Sequence, residues 1–248
     1  MKLIRLTAAA ALAALASSAV FAESMPPAPT PKGTHLGNVI VNPYGFSPLT
    51  AVINRNTKHP TDIRVTVKGK PEGGVDITYD VGRSTLLSND GIPVFGLYPD
   101  YVNMVEVSYT RTLRGKSENF KDTYQLYAPP TYTEVAGIKA ERHALFGTEV
   151  KKVDPEFKDR LYFINNIAEK SGIGTRAVWN NPVGGALQWN FFPQNAIIDT
   201  AGDIRWYMFA NPIYDLRDMY KAGVMMGFKQ NDDGLLTWGY GQRYAKYD

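Results

Sequence analysis

Three histidines, at positions 35, 59 and 143, are the imidazoles this chain has for nucleophilic or acid–base work. A metal site or a catalytic triad needs such residues brought together, at i, i+4 spacing or beside a carboxylate. His35 stands in a Pro-rich stretch, His59 precedes Pro60, and His143 falls in a connector, so their pattern offers neither a zinc site nor a triad. Cysteine is absent, which excludes thiolate ligation, thiolate catalysis and disulfides within the chain. Gly172 to Ala177 (GIGTRA) has the letters of a dinucleotide fingerprint. That fingerprint works only where a strand passes into a helix whose N-terminus meets the pyrophosphate. No β–α–β pattern surrounds it and Pro182 follows, so it reads as a Gly-rich loop. Asn231, Asp232 and Asp233 before Gly234 begin like a calcium loop, but the acid that should close such a loop downstream is missing. They read as a turn. Arg205 and Trp206 could meet an anionic aromatic molecule through guanidinium charge and stacking. The packing alternative, favoured because large aromatics in sheets usually pack, places Trp206 between blades and has Arg205 cap an edge. On the residues alone, no catalytic, cofactor-binding or metal-ligating residue is assigned, and no cofactor is implied.

The elements that would position these residues are strands. From Asn38 the runs VIVNP, LTAVINR, DIRVTVKG, VDITYD, IPVFGLYP, MVEVSYTRT and DTYQLYAPP are rich in β-branched and aromatic residues and bounded by Gly, Pro, Asn or Asp. Ile63, Val65 and Val67 share one face opposite Arg64, Thr66 and Lys68; Val105, Val107 and Tyr109 alternate with Glu106 and Ser108. Such alternation marks half-buried antiparallel strands. Seven of them at about 8–12-residue spacing predict an immunoglobulin-like sandwich over 38–130, closed by Pro129-Pro130, which cannot continue a ladder. Residues 131–152 read as a connector with weak helical character around EVAGIKAERHALF, and Asp159-Arg160 opens a new strand.

Ahead of the sandwich, residues 1–22 have a basic start at Lys2 and Arg5, a short apolar core and an A-x-A-like end at Val20-Phe21-Ala22. The apolar run is shorter than the roughly 20 residues of a spanning helix, so a cleaved secretory signal is expected, and no membrane segment after it. Residues 23–37 form a Pro-rich tether. Without Lys2 and Arg5 the 27 basic residues become 25 against 24 acidic ones, which leaves no basic field for nucleic acid or a membrane surface.

Residues 153–248 carry a different pattern. AIID with IRWYM, VMMGFKQ, LLTWGYG and QRYAKYD read as four strands with the turns TAGD and NDDG between them, and DLRDMYK as a possible helical turn. Four strands with Gly-marked turns and Trp in two of them look like one blade of a β-propeller. At roughly 40–45 residues per blade even a small propeller needs about 160 residues, and only 53 run from Ala196 to Asp248. The fold class expected is therefore all-β: an immunoglobulin-like sandwich followed by the first blade region of an incomplete propeller.

Taken in order, VNPYGFSPLTAVI, VTVKGKPEGGVDITYDVG and NDGIPVFGLYPDYVNMVEVSY resemble the N-terminal domain of bacterial arylsulfate sulfotransferases. PVGGAL, IIDTAGDIRWYM and VMMGF resemble the opening of the propeller that follows it. The resemblance runs from about His35 to Asp248 and rests on many segments in sequence. It implies a periplasmic enzyme, commonly a homodimer, that moves a sulfuryl group from a phenolic sulfate ester to another phenol. It also implies a transiently sulfated histidine, with further histidines and an arginine holding the sulfuryl oxygens. Those histidines lie downstream of the region matching RWYM and GYGQRY, whereas His35, His59 and His143 all precede it, so none is carried over. The family's disulfide also falls later, in keeping with a chain without cysteine. The expectation is the front portion of a larger enzyme, truncated and inactive alone. Two other readings stand beside it: a non-catalytic exported sandwich for binding or dimerisation, and a small-molecule binder using Trp179, Trp189, Trp206 and Trp238.

Overall fold

Alternation along the strands shapes the first half of the chain. The computed structural model describes residues 36–56, 59–135, 141–169, 191–209, 225–232, 235–240 and 243–247. The expected signal segment, nearly all of the tether, His35, Gly172 to Ala177, Trp179, Trp189, the DLRDMYK stretch and Asp233-Gly234 lie outside them. Strands β1 (Val39–Val41), β2 (Thr50–Asn54) and β5 (Gly91–Phe95) form one antiparallel sheet in the order β1-β2-β5. Strands β3 (Thr61–Val67), β4 (Ile77–Val81), β6 (Tyr101–Leu113) and β7 (Lys116–Ala128) form a second, ordered β4-β3-β6-β7. The inward sets are those the alternation predicts: Ile63, Val65 and Val67 with Val105, Val107 and Tyr109, joined by Ile53, Ile92, Leu97 and Leu126 in one core.

Two features of the sandwich exceed what the sequence pattern shows. β6 and β7 pair over their full 13 residues, well beyond the apolar runs, because Arg114 (φ 50°) and Gly115 (φ 80°) make a two-residue turn. Positive φ at both turn positions matches the twist of the strands they join. The helix α1 (Arg83–Ser88) is too short to show a helical period; it buries Leu86, and the Asn89 side chain caps its end by donating to the Thr85 carbonyl at 2.8 Å.

The described residues of the connector include two strands and no helix, against the weak helical character expected there. β8 (Tyr132–Val135) and β9 (Glu141–Ala144) pair antiparallel, with Thr133 opposite His143. Tyr132, Thr133 and Val135 favour the extended backbone, and the Tyr132 ring meets Phe209 edge-on at 5.5 Å, a contact beyond the reach of local pattern.

The expected single four-stranded blade is also corrected. β10 (Tyr162–Glu169), β11 (Phe191–Ile198) and β12 (Ile204–Tyr207) form one antiparallel sheet, and β13 (Met225–Gln230), β14 (Leu236–Tyr240) and β15 (Arg243–Tyr247) form another. The strand opened by Asp159-Arg160 therefore belongs with IRWYM, and among the described residues no ladder joins the two sheets. Between β13 and β14 the Asn231 N–H donates to the Leu235 carbonyl at 2.9 Å.

The burial pattern sets up a paired test on neighbouring strands. Ile53 is fully buried, while Ile40, opposite Val52 on β1, is 58% exposed. Ile53→Ala should lower unfolding free energy by about 2–5 kcal/mol and Ile40→Ala by under about 0.5 kcal/mol. Urea midpoints with equal slopes check this, and similar losses at both positions would contradict the assigned inner face.

Candidate functional site

The turn between β11 and β12 prepares the most polar buried group of the described chain. The Asp199 carboxylate accepts the backbone N–H groups of Ala201 and Asp203 through Oδ1, each at 3.0 Å, and Gly202 takes φ 86° to close the turn. Asp side chains that bond their own backbone two residues on are a standard turn device. Oδ2 is left for Arg205, whose Nη1 lies 2.7 Å away, with both side chains fully buried.

A bulge aims the arginine. Ile198 pairs with Ile204 and Ile197 with Trp206, so Arg205 is the extra residue in the ladder. Bulges re-aim the side chain they carry. Here Arg205 enters the sandwich: Nε donates to the Gly96 carbonyl at 2.9 Å, and the two N–H groups of Nη1, shared with Asp199, also face the Val75 carbonyl at 2.8 Å and the Tyr98 hydroxyl at 2.9 Å. The guanidinium carbon sits 3.8 Å from the Tyr98 ring centroid, a stacked cation–π contact. Among the described residues Nη2 has no acceptor. Burial pushes the Tyr98 hydroxyl above its usual pKa, against the opposing pull of Arg205, so it stays a neutral phenol able both to donate and to accept.

The seam has further stitches. Lys70 pairs with Asp203 at 2.8 Å, both about a third exposed, and its ammonium lies 4.5 Å from the Tyr98 centroid. The Phe209 N–H donates to the Phe46 carbonyl at 2.8 Å; on the far side of the seam, the Thr148 hydroxyl donates to the Gly202 carbonyl. Val75 is presented by the 68–76 loop, where Asp76 accepts the Gly69 N–H and pairs with Lys68. Burial pulls the Asp76 carboxyl upward, but those two donors together hold it below its usual range.

Trp206, next in sequence, lines a cleft of about 650 Å³ between the β2 and β5 strands of the sandwich and the second half of the chain. Tyr44, Phe95, Phe163, Gln230 and Leu236 share its wall. The indole is 3% exposed and tilts against Phe163 at 6.3 Å, so it packs as expected. Arg205 does not cap a sheet edge, nor does it face a site for an anionic substrate; it lies wholly inside the seam. Sequence reasoning missed this because the acceptors on Val75, Gly96 and Tyr98 stand more than 100 residues away. The one local signal was Asp199, six residues before Arg205 and beside a turn.

The histidines are not gathered. His59 is exposed in a wide groove with Arg55, Arg64 and Arg83, where Arg64 is held by Asp80 at 2.9 Å and Arg55 approaches Asp90 at 3.4 Å. His143 lies on β9, in a different sheet. Among the described residues no three His, Cys, Asp or Glu side chains form a metal site, and no nucleophile–base pair with an orienting third group lines either cavity. Among them, too, no helix is long and apolar enough to cross a membrane.

An immunoglobulin-like sandwich sealed by a buried arginine to the antiparallel sheets that follow defines a two-part all-β protein. Comparison with known proteins identifies the family. The model described as the arylsulfotransferase Ig-like domain matches residues 38–129, and the model described as arylsulfotransferase (ASST) matches residues 147–248. The chain belongs to the arylsulfotransferase family. Among its relatives is the arylsulfate sulfotransferase AssT of Lelliottia amnigena, 36% identical over 258 residues that cover 98% of this chain and 41% of the relative. The arylsulfate sulfotransferase AssT of Escherichia coli O6:H1 is 35% identical over 248 residues, covering 94% of this chain and 40% of that protein. The chain thus spans about two fifths of the length of these curated relatives.

The ion pair in the seam should matter far more than the one at its rim. Asp199→Asn leaves a buried guanidinium without its counter-charge and should cost about 3–5 kcal/mol. Lys70→Met breaks a part-exposed pair and should cost under about 1 kcal/mol. Denaturant melts of the two variants check the order; equal effects would contradict it.

Proposed function

We propose that this chain is the N-terminal portion of a periplasmic arylsulfate sulfotransferase, which transfers a sulfuryl group from a phenolic sulfate ester to another phenol. The observation that carries this reading is the ordered match of both family models along a chain 36% identical to the Lelliottia protein over 98% of its length. In the proposed layout, residues 1–22 direct export, 23–37 are a tether, 38–130 are the sandwich, 131–152 the connector, and 153–248 the opening of a propeller. The complete enzyme acts as a homodimer on an aryl sulfate and a phenol.

In this reading a neutral imidazole attacks sulfur as the aryl oxygen leaves, and the acceptor phenol then takes the sulfuryl group from the imidazole. A neutral histidine is a competent nucleophile near pH 7, and fixed donors offset charge that develops on the sulfuryl oxygens. His35, His59 and His143 all precede residue 147, where the match to the transferase model begins. This supports the view that the chain by itself does not turn over aryl sulfate.

Assay of the purified chain with 4-nitrophenyl sulfate and excess phenol is expected to release no 4-nitrophenol above the blank. Fusing it in register to the remaining three fifths of the Escherichia coli relative should restore transfer to phenol, with the mature protein recovered from the periplasm starting at Glu23. Turnover by the chain alone that survives replacement of all three histidines would overturn the histidine mechanism. A folded but inactive fusion would overturn the assignment to this activity.

A further inference from the structure

We propose that the sandwich carries a preformed guanidinium socket, and that this socket is the docking site on which the β10–β12 sheet is seated, with Arg205 as the group it recognises. The walls are the carbonyls of Val75 and Gly96 and the ring and hydroxyl of Tyr98.

Each wall is fixed by bonds made inside the sandwich. Tyr98 is held through Asn103, a fully buried side chain that accepts the Tyr98 N–H at 2.7 Å and donates to the carbonyls of Tyr98 and Tyr101, both at 3.0 Å. Gly96 has φ 93°, and a Cβ there would come within 2.7 Å of the Ile77 side chain. The carbonyl it turns toward Arg205 therefore depends on glycine. Val75 is fastened by its N–H to the Tyr98 hydroxyl at 3.2 Å, and a Cβ on Gly74 before it would strike Lys70 N at 2.1 Å. The bonds that fix these three acceptors are thus made within the sandwich, and from beyond residue 128 the Lys70–Asp203 pair is added to the loop that carries Val75.

Arg205 is presented just as rigidly from the other side, by the bulge and by Asp199. A planar fork with several donors, one stackable face and a permanent charge matches such a socket; an ammonium does not. The sandwich therefore acts as an internal platform, and the sheet it seats is predicted to lose order before the sandwich does. This does not depend on the activity proposed above.

Hydrogen exchange on the whole chain tests the idea. In Arg205→Ala, peptides from 191–209 should exchange at least about a hundredfold faster, while those from β6 and β7 stay within a few fold of the parent. Methylguanidinium at tens of millimolar should refill the socket and restore protection of 191–209 saturably, whereas methylammonium at equal ionic strength should not. Should the alanine variant fail to fold, Arg205→Lys keeps the charge without the fork, and at least about tenfold faster exchange in 191–209 is expected. Unchanged protection in 191–209, equal acceleration in β6 and β7, or no selective response to methylguanidinium would each overturn the proposal.

Discussion

A guanidinium taken fully out of water must find acceptors and a counter-charge, or the structure that buries it does not form. Arg205 has its counter-charge close by in sequence and finds the acceptors only when two distant parts of the chain meet. Asp199 supplies the charge from its own turn; Val75, Gly96 and Tyr98 supply the acceptors from the sandwich. The seam inherits its geometry from this requirement. A hydrophobic contact would tolerate sliding, whereas a fork that meets two carbonyls and a hydroxyl while stacked on a ring permits very little.

Several otherwise unrelated features of the sandwich serve the same end. The close packing around Gly74, the positive φ of Gly96 and the buried amide of Asn103 all cost conformational freedom or desolvation. Each is offset by the bonds it fixes, and together they hold the Tyr98 ring and the 68–76 loop in place. The Trp206 cleft lies beside this seam and is apolar, with no charged side chain among its described lining residues. Its chemistry suits packing, in keeping with a sandwich that supports the neighbouring sheets while catalysis, in the proposed reading, is done elsewhere in the family's longer proteins.

Much of the sandwich was legible in the sequence because its strands are one-sided. Ile63-Arg64-Val65-Thr66-Val67 states which face is buried before any partner is known, and all seven expected strands form. Strand ends were less legible, since the β6–β7 ladder runs on through polar residues on the strength of the Arg114-Gly115 turn. The β8–β9 hairpin was misread as helical because its pairing is decided by contacts such as Tyr132 on Phe209. Likewise β10 could be read as a strand but not assigned to its sheet, because register with β11 is a long-range property. Arg205 fits neither the edge cap favoured from its sequence context nor a contact to an anionic aromatic molecule: its guanidinium pairs with Asp199 and lies over Tyr98, both of this chain.

Arg205 and the sandwich are energetically coupled through Tyr98, and a double-mutant cycle measures that coupling. Unfolding free energies of Arg205→Ala, Tyr98→Phe and the double variant are compared with the parent. A coupling of about 1–3 kcal/mol is expected, because the bond between Nη1 and the hydroxyl is lost in either single variant but can be lost only once, whereas the hydroxyl's bond to the Val75 N–H is lost with Tyr98→Phe in both backgrounds and cancels. Additivity within about 0.5 kcal/mol would contradict it, and would mean that the two halves of the chain are held together by something other than this socket.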